Sequence, residues 1–290
     1  MKVIPFSIPK TVKEAIRVQV DNGRHFYENL HQHSELQITL IVQSEGTLIA
    51  GDYVGNFTEG DVFIIGKNQA HVFRNDKIYF EGTHNLTSEC ITVFFDDNYF
   101  GDFFWHLDEM SSVRKLVSAA VGGLRINGEA QFTVANLLKT ITKQSGLEKL
   151  IAFFTILKTL SETTDFEKLS LTESTLHTPQ YDHERMNKIV KYTLQEYHNV
   201  ITIESIAQIA NLTPEAFCRY FKLRTRKTYI HFLNEVRINQ ACKLLQNKDL
   251  LMTDIAYQVG FNNLSNFNRV FKMIMDKTPS QYYKNIGRNE

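Results

Sequence analysis

The chain has 290 residues, of which 43% are hydrophobic and 22% charged, a balance that excludes a disordered or fibrous chain and leaves room for two ordinary domains. No run reaches the roughly 18 apolar residues a bilayer-spanning helix needs, and the opening MKVIPFSIPK, broken by Pro5 and Pro9, does not read as a signal peptide; a cytoplasmic protein without a membrane partner is expected. The net charge of zero conceals two opposed halves: residues 183–290 carry 16 Lys/Arg against 9 Asp/Glu, and residues 1–182 carry 16 against 23. Such an asymmetry is the layout expected when only the second half meets a polyanion.

In chain order, residues 16–100 read as strands. LQITLIVQ is β-rich, GTLIAGDYVGNF alternates, and GDVFIIG is short and apolar between glycines; closely spaced short strands imply a sandwich or small barrel. From about 103 the period changes to that of helices, with VRKLVSAAV, AQFTVANLLKTIT and GLEKLIAFFTILKTLSE. In the last of these, Leu147, Leu150, Ile151, Phe154 and Leu157 make one apolar stripe, suited equally to core or to a subunit interface. Residues 166–182 are polar and aperiodic, contain Pro179 and read as a linker. Helical pattern resumes at His183 and continues to the end. Cys90, Cys218 and Cys242 match no zinc spacing and are expected to be reduced, buried thiols.

The helical half contains two imperfect copies of one pattern. In TIESIAQIANLTPEAFCRYFK, the residues Ile203, Ile206, Ala207 and Ala210 form the buried side of a supporting helix. A turn follows at Asn211–Leu212, then Thr213 as N-cap and Pro214 in the first helical position. On the next helix Ala216, Phe217, Tyr220 and Phe221 point inward, and Glu215, Cys218, Arg219 and Lys222 point outward. DIAYQVGFNNLSNFNRVFK repeats this, with Leu264, Phe267, Val270 and Phe271 inward and Ser265, Asn268, Arg269 and Lys272 outward. Arg219 and Arg269 are 50 residues apart but Ile206 and Ile255 only 49, so the second turn is one residue longer. Between the copies, Tyr229–Gln246 reads as one long helix of about 27 Å. Such a helix can hold two readers about one DNA turn (~34 Å) apart, in successive major grooves.

With RINQACKLL in the long helix, DIAYQVGFNNLSNFNRVFK after it and TPSQYY at its end, residues 183–290 resemble the DNA-binding domain of the AraC/XylS family of bacterial transcription regulators. The resemblance implies base contacts from Glu215, Cys218 and Arg219 on the first helix and from Ser265, Asn268 and Arg269 on the second. Arg suits guanine and Asn suits adenine. Lys222, Lys272, Arg224 and Lys227 would touch phosphate, which positions without specifying. Where the family has Gly after each recognition helix, this chain has Arg226 and Asp276; the first recognition helix is expected to end differently from the family's.

The N-terminal half carries HQHSELQ and GDVFIIGKNQAHVFRN. His31 and His33, two apart on a strand, would share a face. The second stretch resembles the cupin motif, with Gly60, Gly66 in its Pro position, Asn68 in its Gly position, His71 and Asn75. Gln37 stands where metallo-cupins carry Glu, so no metal and no cofactor is expected; His31, His33 and His71 are the candidates if one binds. The favoured reading has them line a barrel mouth and hydrogen-bond a ligand or backbone. Candidate effector-binding residues are His31, His33, Gln37, His71 and Phe73, with Trp105 near the barrel–helix junction.

The expected fold is α+β: residues 1–102 a small cupin-like β-barrel, 103–165 a helical dimerisation segment, 166–182 a linker, and 183–290 an all-α domain of two helix-turn-helix modules joined by a long helix. The resemblance implies a non-enzymatic regulator that binds double-stranded DNA as a homodimer and answers to a small-molecule effector, a sugar or related metabolite, with RNA polymerase as a further partner. The rival readings are a cupin metalloenzyme or metal sensor fused to a DNA-binding domain, and an effector-independent regulator whose barrel serves only dimerisation.

Overall fold

A computed structural model describes residues 14–81, 86–170, 180–247 and 250–286. The MKVIPFSIPK segment and residues 171–179 of the expected linker lie outside the described residues. The chain divides into two compact units, Met1–Glu184 and Arg185–Glu290.

In the first unit, strands β1 (Ile16–Gly23), β2 (Leu36–Gln43), β5 (Val62–Ile65), β7 (Ser88–Phe95), β8 (Leu124–Ile126) and β9 (Phe166–Lys168) form one sheet, in the order β1-β7-β2-β5-β8-β9. Strands β3 (Gly46–Ala50), β4 (Tyr53–Phe57) and β6 (His71–Asn75) form a second, in the order β4-β3-β6. Every pairing is antiparallel. Period-two alternation sorts the side chains. Leu36, Ile38 and Leu40 of β2, with Val62, Ile64, Ile91, Val93 and Phe95, face a helical layer. Ile41, Phe63, Ile65 and Cys90 face the smaller sheet, where Leu48, Ala50, Phe57 and Phe73 meet them. Buried on both sides, β2 reads as a continuous apolar run rather than an alternating one.

The expected closed barrel is not formed: among the described residues no strand of one sheet pairs with a strand of the other. The edge of β5 is taken instead by β8, which pairs with it over Val62–Ile64, and β9 pairs in turn with β8. The sheet therefore continues where a barrel would close. These two short strands also tie the helices into the N-terminal core. Helices α1 (Gly101–Trp105), α2 (Ser111–Ala119), α3 (Gly128–Ile141) and α4 (Gly146–Glu162) share one apolar cluster with the six-stranded sheet. Arg125 of β8 holds the carboxylate of Asp61 at 2.8 and 2.9 Å, fixing β8 beside the turn before β5. Phe166–Lys168, expected in the linker, belong to the sheet.

The apolar stripe on α4 is rotated from its expected position. Ala152, Phe153, Ile156, Leu157 and Leu160 are the buried face, whereas Leu147 is 72% and Ile151 58% exposed. The helix is apolar on more than one side, so spacing alone selects no unique stripe; Leu157 is common to both. Trp105 is buried among the helix-side core residues, away from the residues that line the cavity described below.

The second unit is helical: α5 (Gln180–Glu196), α6 (Ile203–Ile209), α7 (Pro214–Thr225), α8 (Tyr229–Leu244), α9 (Met252–Gln258), α10 (Leu264–Met275) and α11 (Pro279–Ile286). Local chemistry starts most of them. Thr202 and Ser205 form a capping box on α6; Thr213 caps α7 ahead of Pro214; Thr228 caps α8; Asn263 caps α10. At α11, Thr278 and Gln281 exchange backbone-to-side-chain bonds at 2.9 and 3.3 Å. Helix α8 has buried residues around most of its circumference because both modules pack on it. Tyr229 and Phe232 meet Phe217 and Phe221 of α7; Ile238, Ala241, Cys242 and Leu245 join Ile255, Phe267, Val270 and Phe271.

Candidate nucleic-acid interface and ligand cavity

The two helix-turn-helix modules share the same backbone hydrogen bond and left-handed position at the turn. The backbone N–H of Leu212 donates to Ala207 at 2.9 Å, and that of Phe261 donates to Ala256 at 3.0 Å. The left-handed turn position is Asn211 (φ 53°) in the first copy and Gly260 (φ 90°) in the second, a residue type suited to that conformation in each case. All three positions keep the 49-residue offset, so the extra residue enters after Phe261, before the Asn263 cap. Arg237 of α8 secures the second turn: its guanidinium donates to the carbonyls of Tyr197 and Asn199 at 2.8 and 2.9 Å and stacks over Phe261.

Past the turn, Phe217 and Phe221 of α7 and Phe267, Val270 and Phe271 of α10 are buried. Glu215, Cys218, Arg219 and Lys222 are exposed together on α7, and Ser265, Asn268, Arg269 and Lys272 on α10. Both helices present the same four positions to solvent, and each outward set has one arginine and one lysine. The remaining two basic residues expected at phosphate are engaged within the unit. Lys227 pairs with Glu235 at 2.6 Å, and Arg224 lies half-buried over the ring of Tyr220. Cys90 and Cys242 are buried, and burial pushes each thiol up to about 12; Cys218, expected to be buried, is exposed because it falls on the outward face. Both recognition helices end on a left-handed residue, Arg226 (φ 59°) and Asp276 (φ 54°). The first therefore ends as the second does, not differently: the Arg226 N–H closes on the Lys222 carbonyl at 2.9 Å.

The first unit holds a cavity of about 230 Å³ between its sheets, lined by Gln19, Asp21 and Asn22 of β1, Gln37 and Thr39 of β2, His71 and Phe73 of β6, Cys90, Thr92 and Phe94 of β7, and His25, Phe26, Tyr27 and His31 between β1 and β2. His31 and His33 do not sit on a regular strand. They precede β2, and an isolated bridge joins His31 to His71, with the two backbones exchanging bonds at 2.8 and 3.0 Å. The three rings nevertheless converge: centroids are 4.3 Å apart for His31–His71, 5.1 Å for His33–His71 and 6.1 Å for His31–His33. Gln37 stands among them, 2.9 Å from His33 Nε2 and 3.1 Å from His71 Nε2, and its chain of contacts continues to Thr39 at 2.8 Å and on to Thr92 at 3.1 Å. Burial drives His31 down to about 4 and holds His71 well below the ordinary histidine range, so both rings are neutral at neutral pH. Asn68, in the motif's Gly position, takes φ 55° as a glycine would. Asn75 ties the rim to the sheet, accepting from the Phe26 N–H at 2.7 Å and donating to Ser44.

A profile described as a helix-turn-helix domain matches residues 206–285. Over 274 residues the chain is 27% identical to the HTH-type transcriptional regulator YdeC of Bacillus subtilis strain 168, a match covering 92% of this chain and 90% of that one. The second unit carries a helix-turn-helix domain, and over most of its length the chain is similar to HTH-type transcriptional regulators. A second regulator, from the cgkA 5′ region of Pseudoalteromonas carrageenovora, is 40% identical over 96 residues, 33% of this chain and 57% of its own length. Among solved structures, the DNA-binding domain of AdpA in complex with a target DNA covers 35% of this chain and 92% of its own at 22% identity, with a TM-score of 0.34, too low to transfer geometry. The relatives are regulators, not enzymes, and among the described residues no helix is long and apolar enough to cross a membrane.

Several residues of the two sites escaped sequence reading. Thr39 and Thr92 extend the Gln37 network; they stand opposite each other in the β2–β7 register, a long-range pairing that no local pattern reveals. Asn266 accepts from Arg269 Nη2 at 2.9 Å and steadies the guanidinium; its i, i+3 spacing was the available signal. Arg237 lies within the RINQACKLL stretch, but its partners come from the segment that follows α5.

Proposed function

We propose that the regulator reads two adjacent segments of one DNA face and that a small molecule held by the N-terminal unit sets when it does so. The observation that carries this is the duplicated outward face: Glu215, Cys218, Arg219 and Lys222 recur as Ser265, Asn268, Arg269 and Lys272, each set exposed on a capped helix. In this reading Glu215, Cys218, Arg219, Ser265, Asn268 and Arg269 meet base edges. Lys222 and Lys272 meet phosphate, while Lys227 and Arg224 contribute less because Glu235 and Tyr220 already engage them.

The effector is a hydroxylated metabolite such as a sugar, bound in the cavity beside His31, Gln37, His71 and Phe73, and the sandwich serves as the cupin-like sensor. Support comes from the lining, which places the amides of Gln19, Asn22 and Gln37, the hydroxyls of Thr39, Ser88 and Thr92 and the imidazoles of His31 and His71 beside Phe73, with Asp21 its one charged side chain and no lysine or arginine. The chain works in the cytoplasm as a homodimer joined through α3 and α4, where Leu147, Ile151 and Phe132 are exposed apolar residues, and it can present its DNA-binding unit to RNA polymerase.

Selection from random-sequence duplexes tests the DNA reading. The expected product is a bipartite site with two blocks about one helical turn (~10 bp) apart; a single block, or no enrichment, contradicts it. Addition of the hydroxylated effector should shift the affinity for that site, since a ligand acts only through different affinity for the two states.

A further inference from the structure

The two recognition helices start alike but differ in the side chain that follows the cap by one turn. Thr213 accepts from the Ala216 N–H at 3.3 Å, and Asn263 accepts from the Asn266 N–H at 2.8 Å. At α6 and α11 the side chain in this place turns back and closes a capping box: Ser205 accepts from the Thr202 N–H at 3.1 Å, and Gln281 from the Thr278 N–H at 2.9 Å. Asn266 takes the other direction. Its Oδ1 reaches forward and accepts from Arg269 Nη2 at 2.9 Å, the neighbour three residues on along the same helix face. Ala216, its counterpart in the first copy, has no acceptor to offer Arg219.

The difference bears on how each arginine meets a base. A long side chain loses rotamer freedom when it is fixed on a partner, and a guanidinium already held in one orientation loses less. The Asn266 bond engages one N–H of Arg269 and leaves the rest of the fork for the bidentate contact with guanine O6 and N7. Held in this way, the fork cannot swing to follow an acceptor that a wrong base puts elsewhere. Arg219 is exposed like Arg269, but among the described residues it has no hydrogen-bond partner. It is free to turn toward a neighbouring base or a phosphate.

We propose that Asn266 is a positioning residue that makes the second module the stricter of the two readers. The proposal rests on the reading of α7 and α10 as base readers. Asn266 acts through Arg269, and the difference in stringency between the modules resides in the pair Asn266 and Ala216.

Fluorescence-anisotropy titration of the full-length protein against the selected duplex and its single-base variants supplies the test. The position belonging to each arginine is the one that Arg219→Ala or Arg269→Ala flattens. In the wild type, discrimination should be sharper at the Arg269 position. Asn266→Ala keeps the backbone N–H that bonds the cap; it should lower discrimination at that position about threefold to tenfold and leave the first block unchanged. In an Arg269→Ala background the same substitution should change nothing, which a merely structural loss at the start of the helix would not reproduce. Equal discrimination at the two positions, or discrimination unchanged by Asn266→Ala, overturns the proposal and leaves the DNA reading intact. Loss of preference at a different base overturns it too, because Asn266 would then be a base reader itself. Absence of base preference in the wild type removes the DNA reading and the proposal together.

Discussion

Replacing Arg226 by glycine tests how the first recognition helix is terminated. Arg226 holds φ 59° and ψ 2°, with its N–H bonded to the Lys222 carbonyl. A left-handed conformation costs a residue with a Cβ about 1–2 kcal/mol. Glycine removes that cost but gives back about 0.5–1 kcal/mol through the freedom of its unfolded chain. Loss of a cation at a helix C-terminus removes a further ~0.3–1 kcal/mol, a loss that Arg226→Ala shares without relief of the strain. The comparison that isolates the backbone is therefore glycine against alanine, with glycine more stable by about 1 kcal/mol. For a unit near 100 residues that is about 4–8 °C in midpoint. Thermal unfolding of the full chain, followed by far-ultraviolet circular dichroism, reads the difference in the helical transition. Asp276→Gly against Asp276→Ala should show a gap of similar size, because the backbone there is left-handed as well (φ 54°) and both variants lack the aspartate. Equal midpoints for Arg226→Gly and Arg226→Ala would refute a left-handed helix end at this position.

Other perturbations have equally defined outcomes. Gly260→Ala places a Cβ 2.7 Å from the Tyr197 carbonyl oxygen at φ +90° and should destabilise the second unit by about 2–4 kcal/mol in urea unfolding. Arg237→Ala, which removes the donor to the Tyr197 and Asn199 carbonyls, should cost about 1–3 kcal/mol in the same assay. Leu147→Glu with Ile151→Glu, both at exposed positions, should leave the melting midpoint within about 2 °C and convert a dimer to monomer by analytical ultracentrifugation. Lys272→Ala should weaken binding to all duplexes alike and reduce the slope of log affinity against log salt by about 0.9.

The C-terminal architecture was legible because its determinants are local. Caps such as Thr213 and Asn263, the i, i+3, i+4 sorting of side chains and the 50-residue repeat each need only a short window of sequence. Even the one-residue insertion was readable from the change of offset, though its place after Phe261 needed the backbone bonds. The N-terminal half yielded less. Its strands were recognisable, but β8 and β9 are three residues each and lie between or beyond helices; only the pairing of β8 with β5 and of β9 with β8 shows that the sheet extends past the point of closure. The α4 stripe failed because Leu147 and Ile151 fit an apolar period as well as Phe153 and Ile156 do. The three histidines and Gln37 could be nominated from their motif, whereas the approach of Asn29, Glu35 and Gln69 carbonyls to the ring nitrogens depends on loop paths that no spacing encodes.

The central claim is that two matched helices read DNA, each through its own arginine. The most direct test is fluorescence-anisotropy affinity of wild type, Arg219→Ala and Arg269→Ala for the selected duplex and for every single-base variant of it. Each substitution should cost about 1–3 kcal/mol on the selected site and flatten base preference at one position, with the two positions in different blocks. Unchanged base preference in both variants, or loss of preference at the same position in each, would contradict the account.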